Sequence, residues 1–150
     1  MTKEVTISNR TIEAFWSTFP PLWHQIRAFI RKEANHHFDI TVNQFHMLRR
    51  IDSGKDSVSK LADDKHISRA AISRIVDVLV NKNLITRTHN PEDRRQVKLT
   101  LTAEGRTLLD TLFQHTRRWM DSKLVLLDDH ELENIIQALN ALKKAFEVEG

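Results

Sequence analysis

The chain has 150 residues, 40% of them hydrophobic and 29% charged, and no cysteine. That length suits one globular domain able to bury about two thirds of its unfolded surface, while the missing cysteine excludes disulfides, thiolate nucleophiles, zinc–cysteine sites and thiol-based peroxide sensing. The net charge of +3 is uneven: residues 41–106 carry thirteen basic and eight acidic side chains, residues 107–150 five basic and eight acidic, so a middle balance of +5 fits either a polyanionic partner or a solvated surface.

The apolar runs are too short to span a bilayer, and the opening MTKEVTISNRT lacks the apolar stretch of a secretion signal. The expectation is a soluble cytoplasmic protein with no membrane association.

Ile12, Phe15, Trp16, Phe19, Leu22, Trp23, Ile26, Phe29 and Ile30 put a broad apolar face on one helix. Pro20-Pro21 predicts a kink or a break in it. A face this wide and aromatic calls for a larger cover than one small domain provides.

Thr41-Val-Asn-Gln44 is a capping box, opening a second helix to about Ile51 with Val42, Phe45, Leu48 and Ile51 as its core positions. Asp52-Ser-Gly-Lys55 is a turn. Ser57 caps a short third helix, Val58 to about Lys65, with Val58, Leu61 and Ala62 facing inward. Ser68 caps a fourth that ends near Lys82, where Asn83 can adopt the left-handed conformation.

The period then changes. Leu84–Thr88 and Gln96–Leu101 alternate apolar with polar residues, as half-buried strands do, and the charged loop His89–Arg95 joins them into a β-hairpin. Thr102 caps the next helix, with a stripe of Leu108, Leu109, Leu112, Phe113, Thr116, Trp119, Met120, Lys123, Leu124 and Leu127. Asp128-Asp-His-Glu131 is a capping box opening a final helix faced by Leu132, Ile135, Ile136, Leu139, Leu142 and Phe146. No internal repeat or linker marks a second domain.

Two short helices joined by a tight turn and followed by a charged hairpin form a winged helix-turn-helix, so the fold class is mainly α (α+β). In the fourth helix Ile72, Ile75, Val76 and Leu79 form the buried face. Ala70, Ser73, Arg74 and Asp77 face outward, with Arg69 in the first turn. Small residues let such a helix approach a groove floor, and arginine offers a fork matching guanine or a phosphate. Amides near Ser68 can also hold a phosphate. The bland reading is a solvated helix with an Arg74–Asp77 surface pair. Arg94 and Arg95 end a projecting loop where no core demands them, and a protruding arginine fits the negative minor groove.

These residues resemble the MarR/SlyA family of transcription regulators. The resemblance rests on Ser59-Lys-Leu-Ala62, Ile67–Leu79, Asn83-Leu-Ile85, Asn90-Pro-Glu-Asp-Arg-Arg95 and Leu99-Thr-Leu-Thr-Ala-Glu-Gly105, and covers nearly the whole chain. It implies one MarR-like domain over 1–150, with a DNA-binding lobe at 41–101. Helices at 8–37 and 103–147 would interleave with those of a second copy in an intertwined homodimer. It also implies a near-palindromic double-stranded operator, read by Ser68, Arg69, Ala70, Ala71, Ser73 and Arg74 in successive major grooves. Asp93, Arg94 and Arg95 match the wing motif, Arg95 entering the minor groove and Asp93 holding the wing. Lys60 and Lys98 are expected at phosphates, from charge and location. The family pattern has a glycine where Lys65-His66 stands, and another in place of Asn83.

Family members often act as repressors released by a small aromatic or lipophilic effector bound between the dimer helices and the winged lobe. Trp16, Trp23, His24, Phe45, His46 and Trp119 are the candidates for lining such a cleft, against the plainer reading that they form dimer core. Among eight histidines, His36-His37, His46 and His115 raise a metal-responsive regulator of the same fold, but no His-x-x-x-His pair supports it, so neither a metal site nor a cofactor is expected. An enzyme is not expected: there is no phosphate-binding glycine loop, nucleophile elbow or zinc-protease motif. A winged helix serving only as a protein-interaction module would lack the cations of Arg69, Arg74, Arg94 and Arg95.

Overall fold

The computed structural model describes residues 6–65, 67–89, 91–93 and 95–147. Six helices and two strands follow in the order α1 (Ile7–Phe38), α2 (Val42–Asp52), α3 (Val58–Lys65), α4 (Arg69–Asn81), β1 (Ile85–His89), β2 (Val97–Leu101), α5 (Ala103–Leu124) and α6 (Asp129–Glu147). They fall into two compact units, Met1–Gln114 and His115–Gly150. Arg94 of the wing motif lies outside the described residues, as do His66 and Asn90.

Of the kink or break expected at Pro20-Pro21, the break is absent, because α1 runs uninterrupted through both prolines. A proline φ is close to that of a helix, and two missing amide donors are tolerated when the apolar stripe continues on either side. α1 closes at Asp39, which takes a left-handed conformation (φ 49°) while its amide donates to the Ala34 carbonyl. No glycine announces this stop in the sequence.

The expected caps are present. Thr41 Oγ1 accepts from the Gln44 amide at 3.2 Å while Gln44 Oε1 accepts from the Thr41 amide at 3.0 Å. Asp128 and Glu131 form the reciprocal pair at the start of α6, at 2.8 and 3.0 Å. Asn83 takes a φ of 56°, so asparagine serves where a glycine was the alternative. Thr102 and Gly105 hold the other junction. Thr102 Oγ1 donates to the Asn83 carbonyl (2.7 Å) and accepts from the Gly105 amide (2.9 Å). A Cβ on Gly105 would sit 2.0 Å from the Leu84 carbonyl oxygen. The Leu-Thr-Ala-Glu-Gly run is therefore the lock where the hairpin meets α5.

The core of the first unit takes residues from every one of its elements. Ile30, Ala34 and Ile40 meet Phe45, Met47, Leu48 and Ile51, then Leu61, Ile72, Val76 and Leu79, with Leu84, Ile85, Leu99, Leu101, Leu108, Leu109 and Leu112 beyond. Each fully buried Leu or Ile contributes about 1.5–3 kcal/mol by leaving water. This core fixes α4 against the hairpin, and so fixes the site.

β1 and β2 are antiparallel, with Ile85 opposite Leu101, Arg87 opposite Leu99 and His89 opposite Val97. Directly opposed residues share a face, so Arg87 lies on the same side of the hairpin as the buried Ile85 and Leu99. The second unit behaves differently: α6 buries none of its residues, leaving Ile135, Ile136, Leu139 and Phe146 exposed.

Candidate nucleic-acid interface

α4 presents two faces set by its period. Ile72, Val76 and Leu79 are buried, while Arg69, Ala70, Arg74 and Asp77 are exposed and Ala71 and Ser73 half-buried. Ser68 Oγ accepts from the Ala71 amide at 3.2 Å, which caps the helix and leaves further first-turn amides at its end. Arg69, Arg74 and Arg95 make no ion pair with another described residue. Cations held by neither core nor counter-ion stay available to an external anion.

The Arg74–Asp77 surface pair of the bland reading does not form, because Asp77 has another partner. Asp77 Oδ1 accepts from Nη2 of Arg87 on β1. Arg87 wins because its strand face points it at α4, and the single polar position between Ile85 and His89 on that face was the signal in the sequence.

The wing turn is built by Asp93. Its side chain accepts from the Arg95 amide at 3.0 Å and its carbonyl accepts from the Gln96 amide at 2.9 Å. This is the local Asx-type bonding that lets aspartate shape a turn. Arg95 leaves that turn exposed.

Lys60 and Lys98 come from different elements and share one carboxylate. Asp56 stands 2.7 Å from the Lys60 Nζ and 3.8 Å from the Lys98 Nζ. The hydrogen bond from Lys60 is the main cause holding the Asp56 carboxyl below its usual range, assisted by the charges of Lys60 and Lys98 against a desolvation cost. The Asp56 carbonyl also accepts from the Leu99 amide at 2.8 Å, so the α2–α3 connection is stitched to β2. Lys60 is only four residues on, but the partners that make Asp56 a junction, Lys98 and Leu99 of β2, are remote in the chain and left no local signal. The two lysines, with Ser57, His89, Arg95 and Gln96, line an open concavity of about 770 Å³ between the start of α3 and the wing.

The residues considered for an effector cleft separate. Phe45 is only 1% exposed and belongs to the core, ring to ring with Phe113 at 5.9 Å. Trp23 and His46 line a shallow cleft of about 400 Å³ with Arg27, Asn43, Arg49, Arg50 and Ser53. Trp16 and His24 are exposed on α1, and Trp119 is half-buried in the second unit. The arginines of the cleft were not singled out by sequence; Arg49 lies over the Phe113 ring, 5.1 Å from its centre. Of the histidines weighed as ligands, His37 pairs with Glu33 on its own helix at 3.5 Å, His36 is exposed, and His46 and His115 are half-buried.

Residues 40–97, from the end of the α1–α2 junction to the first residue of β2, match the model of the MarR family. YhbI of Bacillus subtilis strain 168, an uncharacterised HTH-type transcriptional regulator, is 30% identical over 137 residues, 87% of this chain and 89% of its own. The chain belongs to the MarR family. As a MarR-family protein it is a DNA-binding transcriptional regulator with a winged helix-turn-helix. The HTH-type transcriptional repressor MdtR of the same organism is 31% identical over 96 residues, 64% of this chain and 62% of its own. A MarR family protein from Bacillus stearothermophilus, 17% identical, has the same fold with a TM-score of 0.81 over 95% of this chain and 99% of its own. Within the described residues no helix is long and apolar enough to cross a membrane.

Proposed function

We propose that this MarR-family chain is a homodimeric repressor that binds a near-palindromic operator and is released by a small aromatic or lipophilic effector. The observation carrying the DNA-binding part is the exposed, uncountered set Arg69 and Arg74 on a capped α4, beside Arg95 on an aspartate-braced wing. In this reading Ser68, Arg69, Ala70, Ala71, Ser73 and Arg74 enter the major groove, where arginine discriminates guanine and small side chains allow close approach. Arg95, with its neighbour Arg94, enters the minor groove, and Lys60 and Lys98 approach phosphates. Residues 41–101 form the DNA-binding lobe. Chromosomal DNA as target would put its work in the cytoplasm.

Dimerisation is supported by what α1 and α6 leave uncovered. Ile12, Trp16, Phe19, Leu22 and Trp23 are 44–67% exposed on α1, and Ile135, Ile136, Leu139 and Phe146 are 41–75% exposed on α6. Apolar faces of that extent mark an interaction surface. A second copy covers both by two-fold symmetry, with 8–37 and 103–147 as the dimerisation helices. Repression is supported by the name of the relative MdtR. The effector reading is supported by the Trp23–His46 cleft, whose volume suits a small ligand and whose Arg27, Arg49 and Arg50 favour an anionic group.

The test is selection of bound duplexes from a random DNA pool by the full chain, repeated with an aromatic carboxylic acid present. The reading expects two half-sites whose centres lie about one helical turn (~34 Å) apart, and loss of binding with the acid. A single unrepeated site, or no enrichment, contradicts the dimeric operator; unchanged binding at saturating acid contradicts that class of effector.

A further inference from the structure

On a helix meant to enter a groove of DNA, a bare carboxylate is out of place. Asp77 lies on the exposed face of α4, one turn beyond Arg74 and Ser73, with its side chain 56% exposed. It would repel phosphates from the surface that Arg69 and Arg74 offer them. It would also be the natural local partner of Arg74, three residues earlier on the same helix face. In the structure Asp77 pairs with Arg87 instead of Arg74.

Arg87 is itself oddly placed. It occupies an inward-facing register of the hairpin, opposite Leu99, where Leu99 is 1% exposed and Ile85 on the same face also 1% exposed. Its guanidinium reaches Asp77 on α4. Among the described residues it is the wing's one ion-paired link to α4. The rest of the attachment is the hydrogen-bonded turn through Asn83 and Leu84 at the foot of the hairpin and the apolar packing beneath, neither of which grips the hairpin as far out as Arg87. An exposed ion pair of this kind adds little to folding stability, so its effect is on geometry.

We propose that Asp77 and Arg87 are a positioning pair for DNA recognition. Their bond sets the angle of the wing to α4, so that Arg95 and the α4 face engage adjacent grooves together, and it keeps Arg74 free of Asp77. The inference rests on the DNA-binding reading of α4 and the wing given above. Neither residue needs to touch DNA.

The test is a double-mutant cycle in the full chain with Asp77→Asn, Arg87→Gln and both together. Two affinities are measured for each protein, one for a duplex selected by the parent chain and one for a random-sequence competitor duplex. The ratio of the two removes the general electrostatic effect of changing one charge. That effect has opposite signs for the two variants: competitor binding tightens in Asp77→Asn and weakens in Arg87→Gln. The expected result is that the ratio falls about tenfold in each single variant and no further in the double. A ratio unchanged in either single variant overturns the proposal, and so do losses that multiply in the double, which would mean that each residue acts alone. Urea unfolding of each variant checks that all are folded; if Arg87→Gln is not, Arg87→Met, which keeps an apolar stem and removes the charge, takes its place in the same cycle with the same criterion. A parent chain that prefers no duplex defeats the DNA-binding reading itself, whereas a selective parent with indifferent variants defeats only the positioning pair.

Discussion

Lys82, which closes α4, donates from Nζ to both the carbonyl (2.6 Å) and the carboxylate (2.9 Å) of Asp39, which closes α1. The two residues stand 43 apart in sequence and each ends a helix, so the bond ties the stop of the long helix to the stop of the candidate recognition helix. Asp39 is held in a left-handed conformation at that point, and the ammonium satisfies a carbonyl that the helix end leaves without an intrahelical partner. Because the Asp39 side chain is 99% exposed, Lys82→Met is expected to lower the urea midpoint only slightly. Urea unfolding at low and high salt checks this. The ion-pair part fades with salt, while the hydrogen bond to the carbonyl persists.

Gly105 tests the join between hairpin and α5. Gly105→Ala would place a methyl group 2.0 Å from a backbone carbonyl oxygen of Leu84, an atom that cannot swing away. The gain in helix propensity is about 1 kcal/mol, and the overpacking cost exceeds it. A net loss of about 2 kcal/mol is expected, read as a lower urea midpoint. A more stable Gly105→Ala variant would show that the close approach is absent.

Asp56 gives the fold a pH dependence at the wing. Its folded carboxyl titrates below the ordinary range because Lys60 donates to it. A depressed carboxylate contributes stability that is fully present above its unfolded pKa and is lost as pH falls through the folded one. The contribution therefore disappears below about pH 4. Asp56→Asn is expected to be less stable than the parent at neutral pH and to converge with it toward pH 3. Parallel stability curves over that range would contradict the account of Asp56.

Much of the fold was legible in the sequence because its signals are local. The caps at Thr41, Ser68 and Asp128, the period change after Asn83, and the stripe of Leu108, Leu109 and Leu112 each depend on residues within a turn or two. What escaped depends on neighbours distant in the chain or on backbone detail. Pro20-Pro21 reads as a break by local rules, yet the helix continues through it. Phe45 reads both as a core position of α2 by its spacing and as a pocket aromatic by its type, and its helix turns it into the core. At the site, the cations of α4 and the wing were visible as residue types, but their freedom was not. That freedom follows from Asp77 being taken by Arg87 and from Asp93 bracing its own turn, pairings that exist only once the hairpin lies beside α4.

The two candidate base-facing arginines should fail differently. Arg74→Ala is expected to lose about 1–3 kcal/mol of affinity for the selected duplex and to relax preference at one or two base pairs in each half-site. Arg95→Ala is expected to lose affinity most where the flanking minor groove is narrow, as in A·T runs. Binding to variant duplexes, each with one base pair changed, checks both. Equal affinity of both variants and the parent would contradict the site.

The most direct test of the central claim is a salt titration of binding, comparing the selected duplex with a random one for the parent chain and for Arg74→Ala. The account predicts that the parent's affinity falls linearly with salt on logarithmic axes for both duplexes, with the selected duplex about 10³-fold or more preferred throughout. It predicts that Arg74→Ala narrows that gap. A parent chain that binds both duplexes equally at every salt concentration would contradict it.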